Sequence, residues 1–168
     1  MSKELEAKIE QLDDKNAIYV VQKLTEAVFT RRPEPTCQSM AEAIDQARAP
    51  GQGEPRIADH EEWRDLALVG GDGGRVARAV LQGWAADPGL APAVDKAIDT
   101  FKTTKQDLGL LSVPVALGLT YVLIGMDLDI DLGFIKVKKK GLTGAQQTAV
   151  IKKTVDPVLK AIRVLAGA

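Results

Sequence analysis

Apolar residues recur at helical spacing through the first part of the chain. Leu5, Ile9 and Leu12 line one side of an otherwise charged stretch at 3–12, the repeat of an amphipathic helix. Asp13 or Asp14 is placed to cap a second helix, which carries Ala17, Ile18, Val21, Leu24, Ala27 and Val28 on one stripe. Pro33 and Pro35 forbid its continuation. Ser39 followed by Glu42 has the spacing of a capping box and predicts a short helix to about Arg48. The Pro- and Gly-rich run at 49–55 reads as a loop.

Asp59 can cap a helix holding Trp63, Leu66 and Ala67 that ends at Gly70-Gly71. A further helix with Val76, Val80 and Leu81 follows the glycine run Gly70–Gly74. After a turn at Asp87-Pro88-Gly89, Pro92 suits the first turn of a helix with Val94, Ala97, Ile98 and Phe101. Near the end, Thr143 with Gln146 is a second capping box, and Asp156-Pro157 reads as a cap followed by proline. Two short helices are predicted there, at 144–154 and 157–166.

Between these helical parts the pattern changes. Residues 108–126 contain no charged side chain, and 127–140 alternate first acid, then lysine, with aliphatic residues. A transmembrane helix fits the length of the first stretch, although Pro114 and three glycines interrupt it. The favoured reading is a strand, because Val113, Val115, Leu117, Leu119, Tyr121 and Leu123 are large at every second position. A turn at Gly125-Met126 would set Leu123 opposite Leu128, Tyr121 opposite Ile130, Leu119 opposite Leu132 and Leu117 opposite Phe134. A second turn at Gly133-Phe134, glycine first, would set Asp131 opposite Lys136, Asp129 opposite Lys138 and Asp127 opposite Lys140. Ile130 then meets Val137 on the other face, and Leu132 meets Ile135. Together these registers predict a three-stranded meander within 113–140. A variant of the membrane reading has the amphipathic hairpin soluble in one state and inserted as part of an oligomeric barrel in another.

The predicted fold class is therefore α+β: a helical region at 1–107, then a hairpin or meander and C-terminal helices at 108–168, together one domain. The 168 residues suit that size. With seven aromatics in all (Trp 2, Tyr 2, Phe 3), the core has to be aliphatic.

Composition narrows the chemistry. There is one His, one Cys and three serines (Ser2, Ser39, Ser112), so a two-His zinc site or a Cys-rich one cannot be assembled within the chain. A Ser-His-Asp triad would depend on His60. Cys37 has no partner for an intrachain disulfide, and the charged N-terminus lacks a signal-peptide core, so a cytoplasmic location is expected. With 22 Lys+Arg against 23 Asp+Glu, the electrostatic footprint of a nucleic-acid binder is missing.

Local motifs weaken when read closely. Asp127-x-Asp129-x-Asp131 starts like a calcium loop, but Leu132 and Lys138 stand where glycine and a bidentate acid belong. The run Gly70–Gly74 lacks the Lys-Ser/Thr of a phosphate-binding loop and reads as a flexible helix–helix linker. Lys136, Lys138, Lys139 and Lys140 read as a solvated strand edge, and Trp63 and Trp84 as core residues.

Two functions follow. The first is a non-enzymatic, adaptor-like interaction or assembly protein with protein partners, self-associating into a homo-oligomer, without cofactor or metal. A sheet with open edges that a partner strand could extend would serve it. The alternative is a membrane-active protein, anchored or pore-forming, of toxin or defence type, using 108–126 and the hairpin. The candidate interaction or membrane residues are Leu117, Leu119, Tyr121, Leu123, Leu128, Ile130, Leu132 and Phe134. The charge ladder is Asp127, Asp129, Asp131, Lys136, Lys138 and Lys140.

Overall fold

The Ser2 hydroxyl accepts the Leu5 N–H at 3.2 Å and opens helix α1 (Lys3–Glu10), which buries Leu5 and Ile9. Asp13 accepts the Asn16 N–H at 2.8 Å and opens α2 (Asp14–Thr30), whose predicted stripe from Ala17 to Val28 faces inward. The structure, a computed structural model, describes residues 1–30, 36–48, 56–59, 66–68, 71–104, 110–125 and 127–165. The proline stop at 31–35, the loop at 49–55, and Trp63 with His60 lie outside the described residues. Of the helix expected after Asp59, the described end is not helical: Ala67 lies in a two-residue strand, where it pairs with Ser112.

Thr36, not Ser39, caps α3 (Cys37–Ala47): its hydroxyl accepts the Ser39 N–H at 3.1 Å, so the helix starts before the predicted box. A single 3-10 turn (Ile57–Asp59) is held by Asp45 of α3, which accepts the N–H groups of Ile57 and Ala58 at 3.0 Å each.

The glycine run is not a linker. From Gly71 onward it forms the first turns of α4 (Gly71–Ala86), and Gly73 and Gly74 are buried. A Cβ on Gly74 would overlap the Asp14 carboxylate and lie 2.6 Å from the Asp14 Cβ, so α2 and α4 approach closely there because that side chain is missing. Asp87 accepts the Gly89 N–H at 2.8 Å in the following turn, and Pro92 sits in the first turn of α5 (Ala91–Thr100), as predicted.

The largest departure from expectation is at 113–125. This stretch is helix α6 (Val113–Gly125), not a strand. None of the pairings predicted across Gly125-Met126 exists: Leu123–Leu128, Tyr121–Ile130, Leu119–Leu132 and Leu117–Phe134 join a helix to a hairpin. The Ser112 hydroxyl accepts the Val115 N–H at 3.4 Å, and Pro114 occupies the first turn, where a missing N–H costs nothing. Just before it, strand β2 (Leu111–Ser112) pairs antiparallel with β1 (Ala67–Leu68).

The second predicted register does form. Strands β3 (Leu128–Asp131) and β4 (Lys136–Lys139) pair antiparallel with Asp131 opposite Lys136, Ile130 opposite Val137 and Asp129 opposite Lys138. The Leu132 N–H donates to the Ile135 carbonyl at 2.8 Å, and Gly133 has the positive φ (91°) its turn requires. The ladder ends at Leu128 opposite Lys139. Beyond it Asp127 accepts the Gly141 N–H at 2.9 Å, in place of a rung with Lys140.

The two predicted C-terminal helices are one, α7 (Gly144–Leu165), which passes through Asp156-Pro157. Ile151, Thr154, Val155, Val158 and Leu159 are buried on both sides of the proline. Their i, i+3, i+4, i+7, i+8 spacing is a single apolar stripe, and its packing outweighs the backbone hydrogen bond that proline removes. The fold is α+β, mostly helical with a small antiparallel hairpin.

One apolar cluster runs from Leu5 to Leu159. Helix α4 packs on α1, α2, α5, α6 and α7, and α6 packs on α2, α3, α4 and α7. Surrounded in this way, α6 buries residues all round its circumference, which is why it carries no charge.

Candidate interaction surface

The alternation of β3 and β4 gives the hairpin two unlike faces. Leu128, Leu132 and Val137 are buried on the inner face, and Ile130 and Ile135 are half-buried there. Asp127, Asp129, Asp131, Lys136, Lys138 and Lys140 are all exposed on the outer face. Asp129 faces Lys138 and Asp131 faces Lys136 in register, yet no ion pair of 4.0 Å or less closes between them. Of the predicted charge ladder, Asp129, Asp131, Lys136 and Lys138 are thus exposed charges that face each other in register. Asp131 uses one carboxylate oxygen to accept the Gly133 N–H at 2.8 Å, which fixes the turn.

Lys139 departs from the predicted solvated edge. By alternation it belongs to the face of Ile135 and Val137, and it is 6% exposed. Its ammonium donates to the Val122 carbonyl at 3.0 Å and to the Leu123 carbonyl at 2.6 Å. Those oxygens lie in the last turn of α6, where carbonyls lack helical partners and the dipole is negative. Burial lowers the Lys139 pKa to about 8, against the opposing pull of the Asp87 and Asp127 carboxylates. Sequence parity with Val137 was the signal for this burial.

The two outer edges of the hairpin also differ. Beside β4 lies the turn after α4: a Cβ on Gly89 would run into the Lys138 carbonyl oxygen and come 3.1 Å from the Lys139 Cβ. The outer edge of β3 has no strand beside it among the described residues, since the sheet contains β3 and β4 alone. Because Leu132 and Ile135 form a hydrogen-bonded rung, the alternation of an antiparallel ladder turns the N–H and C=O of Asp129 and Asp131 away from β4. No described residue pairs with those outward groups.

The other sequence candidates are core residues. Leu117, Leu119 and Leu123 of α6 are buried, as are Leu128 and Leu132, and Tyr121 is half-buried. Phe134 packs edge-on against Phe101, with ring centroids 5.4 Å apart. Trp84 is fully buried and donates its indole N–H to the Leu119 carbonyl at 3.1 Å. Among the described residues no helix is long and apolar enough to cross a membrane. The exposed large hydrophobic side chains among them are Met1 and Leu110.

A cleft of about 510 Å³ lies between α4, the start of α7 and residues 140–142. Ala79, Gly83, Leu142 and Val150 give it an apolar lining, and Asp87 and Lys153 add charge. Its described lining residues include no Cys, His or Ser, so no Ser or Cys nucleophile is set beside a His base there. Cys37, at the first position of α3, is half-buried and unbonded to another cysteine. Among the described residues no three His, Cys, Asp or Glu side chains converge on a metal position.

Compared with protein families, curated proteins and solved structures, the chain matches none of them.

Proposed function

We propose that the chain is a non-enzymatic, adaptor-like interaction protein that binds another polypeptide by strand addition to β3. The observation that carries this reading is the outward row of backbone N–H and C=O groups at Asp129 and Asp131, with no strand beside it among the described residues. An extended segment laid along such an edge gains main-chain hydrogen bonds without rearrangement of the host sheet. The edge stands on a rigid base, because Leu128, Leu132 and Val137 anchor the hairpin in the core. Bilayer insertion, in contrast, would have to take Leu117, Leu119 and Leu123 out of the contacts α6 makes with α2, α3, α4 and α7.

Amine-directed crosslinking in the cells that produce the protein tests this. Lys136 and Lys138 are exposed on the outer face of the hairpin and report on anything docked beside it. Crosslinks from these lysines to a second polypeptide are expected, and Asp129→Pro should remove them. Proline there deletes one outward donor and leaves the ladder to β4 intact, as edge strands tolerate. The reading fails if the hairpin lysines carry no such crosslinks, or if the crosslinks survive in a folded Asp129→Pro protein.

A further inference from the structure

Strand addition at β3, if that reading holds, brings side chains of known sign together. Residues directly opposite across an antiparallel pair share a face at about 5 Å. A strand added to β3 therefore sets its alternate residues against Asp129 and Asp131, with Asp127 at the end of the row. Both β3 carboxylates are exposed and neither reaches a lysine of β4. Ile130, on the opposite face between them, is half-buried and continues the inner apolar surface.

We infer that the segment β3 accepts is an extended peptide with Lys or Arg at alternate positions and β-branched or apolar residues between them. It has the same pattern as Lys136-Val137-Lys138, which already lies on the other side of β3. The bound state is a basic–acidic–basic arrangement of three strands. A second copy of the chain is the wrong occupant. Two β3 edges paired antiparallel with their outward groups in phase bring the set Asp127, Asp129, Asp131 against itself, and like charges directly opposite destabilise a pair. The acidic row thus selects a basic partner strand and also refuses self-pairing at an otherwise open edge.

The test uses three short peptides and the intact protein: Lys-Val-Lys-Val-Lys, its isomer Lys-Lys-Val-Val-Lys, and Glu-Val-Glu-Val-Glu. Residue-resolved amide hydrogen exchange reads the Asp129 and Asp131 N–H groups directly. The alternating basic peptide should slow both amides and bind up to about fivefold more tightly than its isomer, in which no register sets lysines against both Asp129 and Asp131, so that one cross-strand charge pair is lost. In the Asp129→Lys/Asp131→Lys protein, altered at two exposed positions, the preference should move to the acidic peptide. Equal slowing by basic and acidic peptides would overturn the charge selection while leaving strand addition at β3 in place. If none of the peptides slows these amides, strand addition falls with it. Equal binding of the two basic isomers would reduce the effect to net charge and overturn the alternating pattern.

Discussion

The Lys139 ammonium lies 2.6 Å from the Leu123 carbonyl, so a lysine of the hairpin closes the C-terminal end of the central helix α6. The same carbonyl also accepts the Leu142 N–H at 3.2 Å. Helix α6 ends beneath the sheet and needs donors for its last carbonyls. Lys139 supplies them from a site that strips water from its charge. The hairpin and the helix core are therefore coupled through one buried titratable group.

That coupling has a pH signature. Unfolded, Lys139 titrates near 10.5; folded, near 8. Below pH 8 both states hold the proton, and the folded state carries the full cost of a desolvated charge. Between 8 and 10.5 the unfolded chain binds more protons, so stability rises with pH across that window. The neutral amine keeps two N–H donors for Val122 and Leu123, so the cap survives deprotonation. Chemical denaturation of wild type and Lys139→Met from pH 7 to 11 should show their stability difference moving by roughly 3 kcal/mol in favour of the wild type. A pH-independent difference would mean that the ammonium is solvated.

Glycines at the start of α4 make opposite predictions within one helix. Gly74→Ala sets a methyl group against the Cβ of Asp14, which no rotamer change can move, and disturbs the 2.8 Å Asp14–Arg78 ion pair. A cost of about 1–3 kcal/mol in urea unfolding is expected. Gly71→Ala meets no atom within 4 Å and should stabilise by up to about 1 kcal/mol through helix propensity and a stiffer unfolded chain. Equal effects at the two positions would mean that α2 and α4 do not touch at Gly74.

How far the sequence revealed this arrangement depended on whether a segment buries one face or all of them. The hairpin shows one face to solvent, so acid and lysine alternate with aliphatic residues, and Gly133-Phe134 pins the register of Asp129 and Asp131. Helix α6 shows no such face. With every side buried, its 3.6-residue period disappears, and the alternation of large and small residues from Val113 to Leu123 imitates a strand. Ser112 and Pro114 were the surviving helix signal, a hydroxyl cap followed by proline in the first turn. At Asp156-Pro157 the conflict runs the other way: the local cap motif predicts a break, and the apolar stripe continuing from Ile151 to Leu159 carries the helix through it. The edge of β3 was foreseeable only as an open edge; the turn at Gly89 that covers β4 instead comes from tertiary packing.

Asp45 ties α3 to the turn at Ile57–Asp59. Its carboxylate, whose side chain is 3% exposed, receives the Ile57 and Ala58 N–H groups and the Arg48 guanidinium at 3.1 Å. Asp45→Ala leaves two backbone donors without their acceptor and should cost about 2–3 kcal/mol in chemical denaturation. Asn keeps one acceptor oxygen and should recover part of that loss. A fully stable alanine variant would show that water replaces the carboxylate.

The acidic row on β3 predicts a single substitution that creates a dimer. In an antiparallel pair of β3 edges centred on Ile130, Asp129 of one copy lies opposite Asp131 of the other, on both sides of the twofold axis. Asp129→Lys converts both repulsive contacts into opposite-charge pairs at once. Asp129→Lys/Asp131→Lys restores repulsion with the sign reversed. Each cross-strand pair changes by roughly 0.5–1 kcal/mol or more on sign reversal, so association of the single variant through this edge should strengthen by about tenfold or more. Sedimentation equilibrium at low salt should therefore show Asp129→Lys dimerising at concentrations where wild type and the double variant gain no mass through β3, and the dimer should weaken as salt screens the pairs. Identical behaviour of all three proteins would mean that the outward groups of Asp129 and Asp131 are not open to a second strand in this geometry.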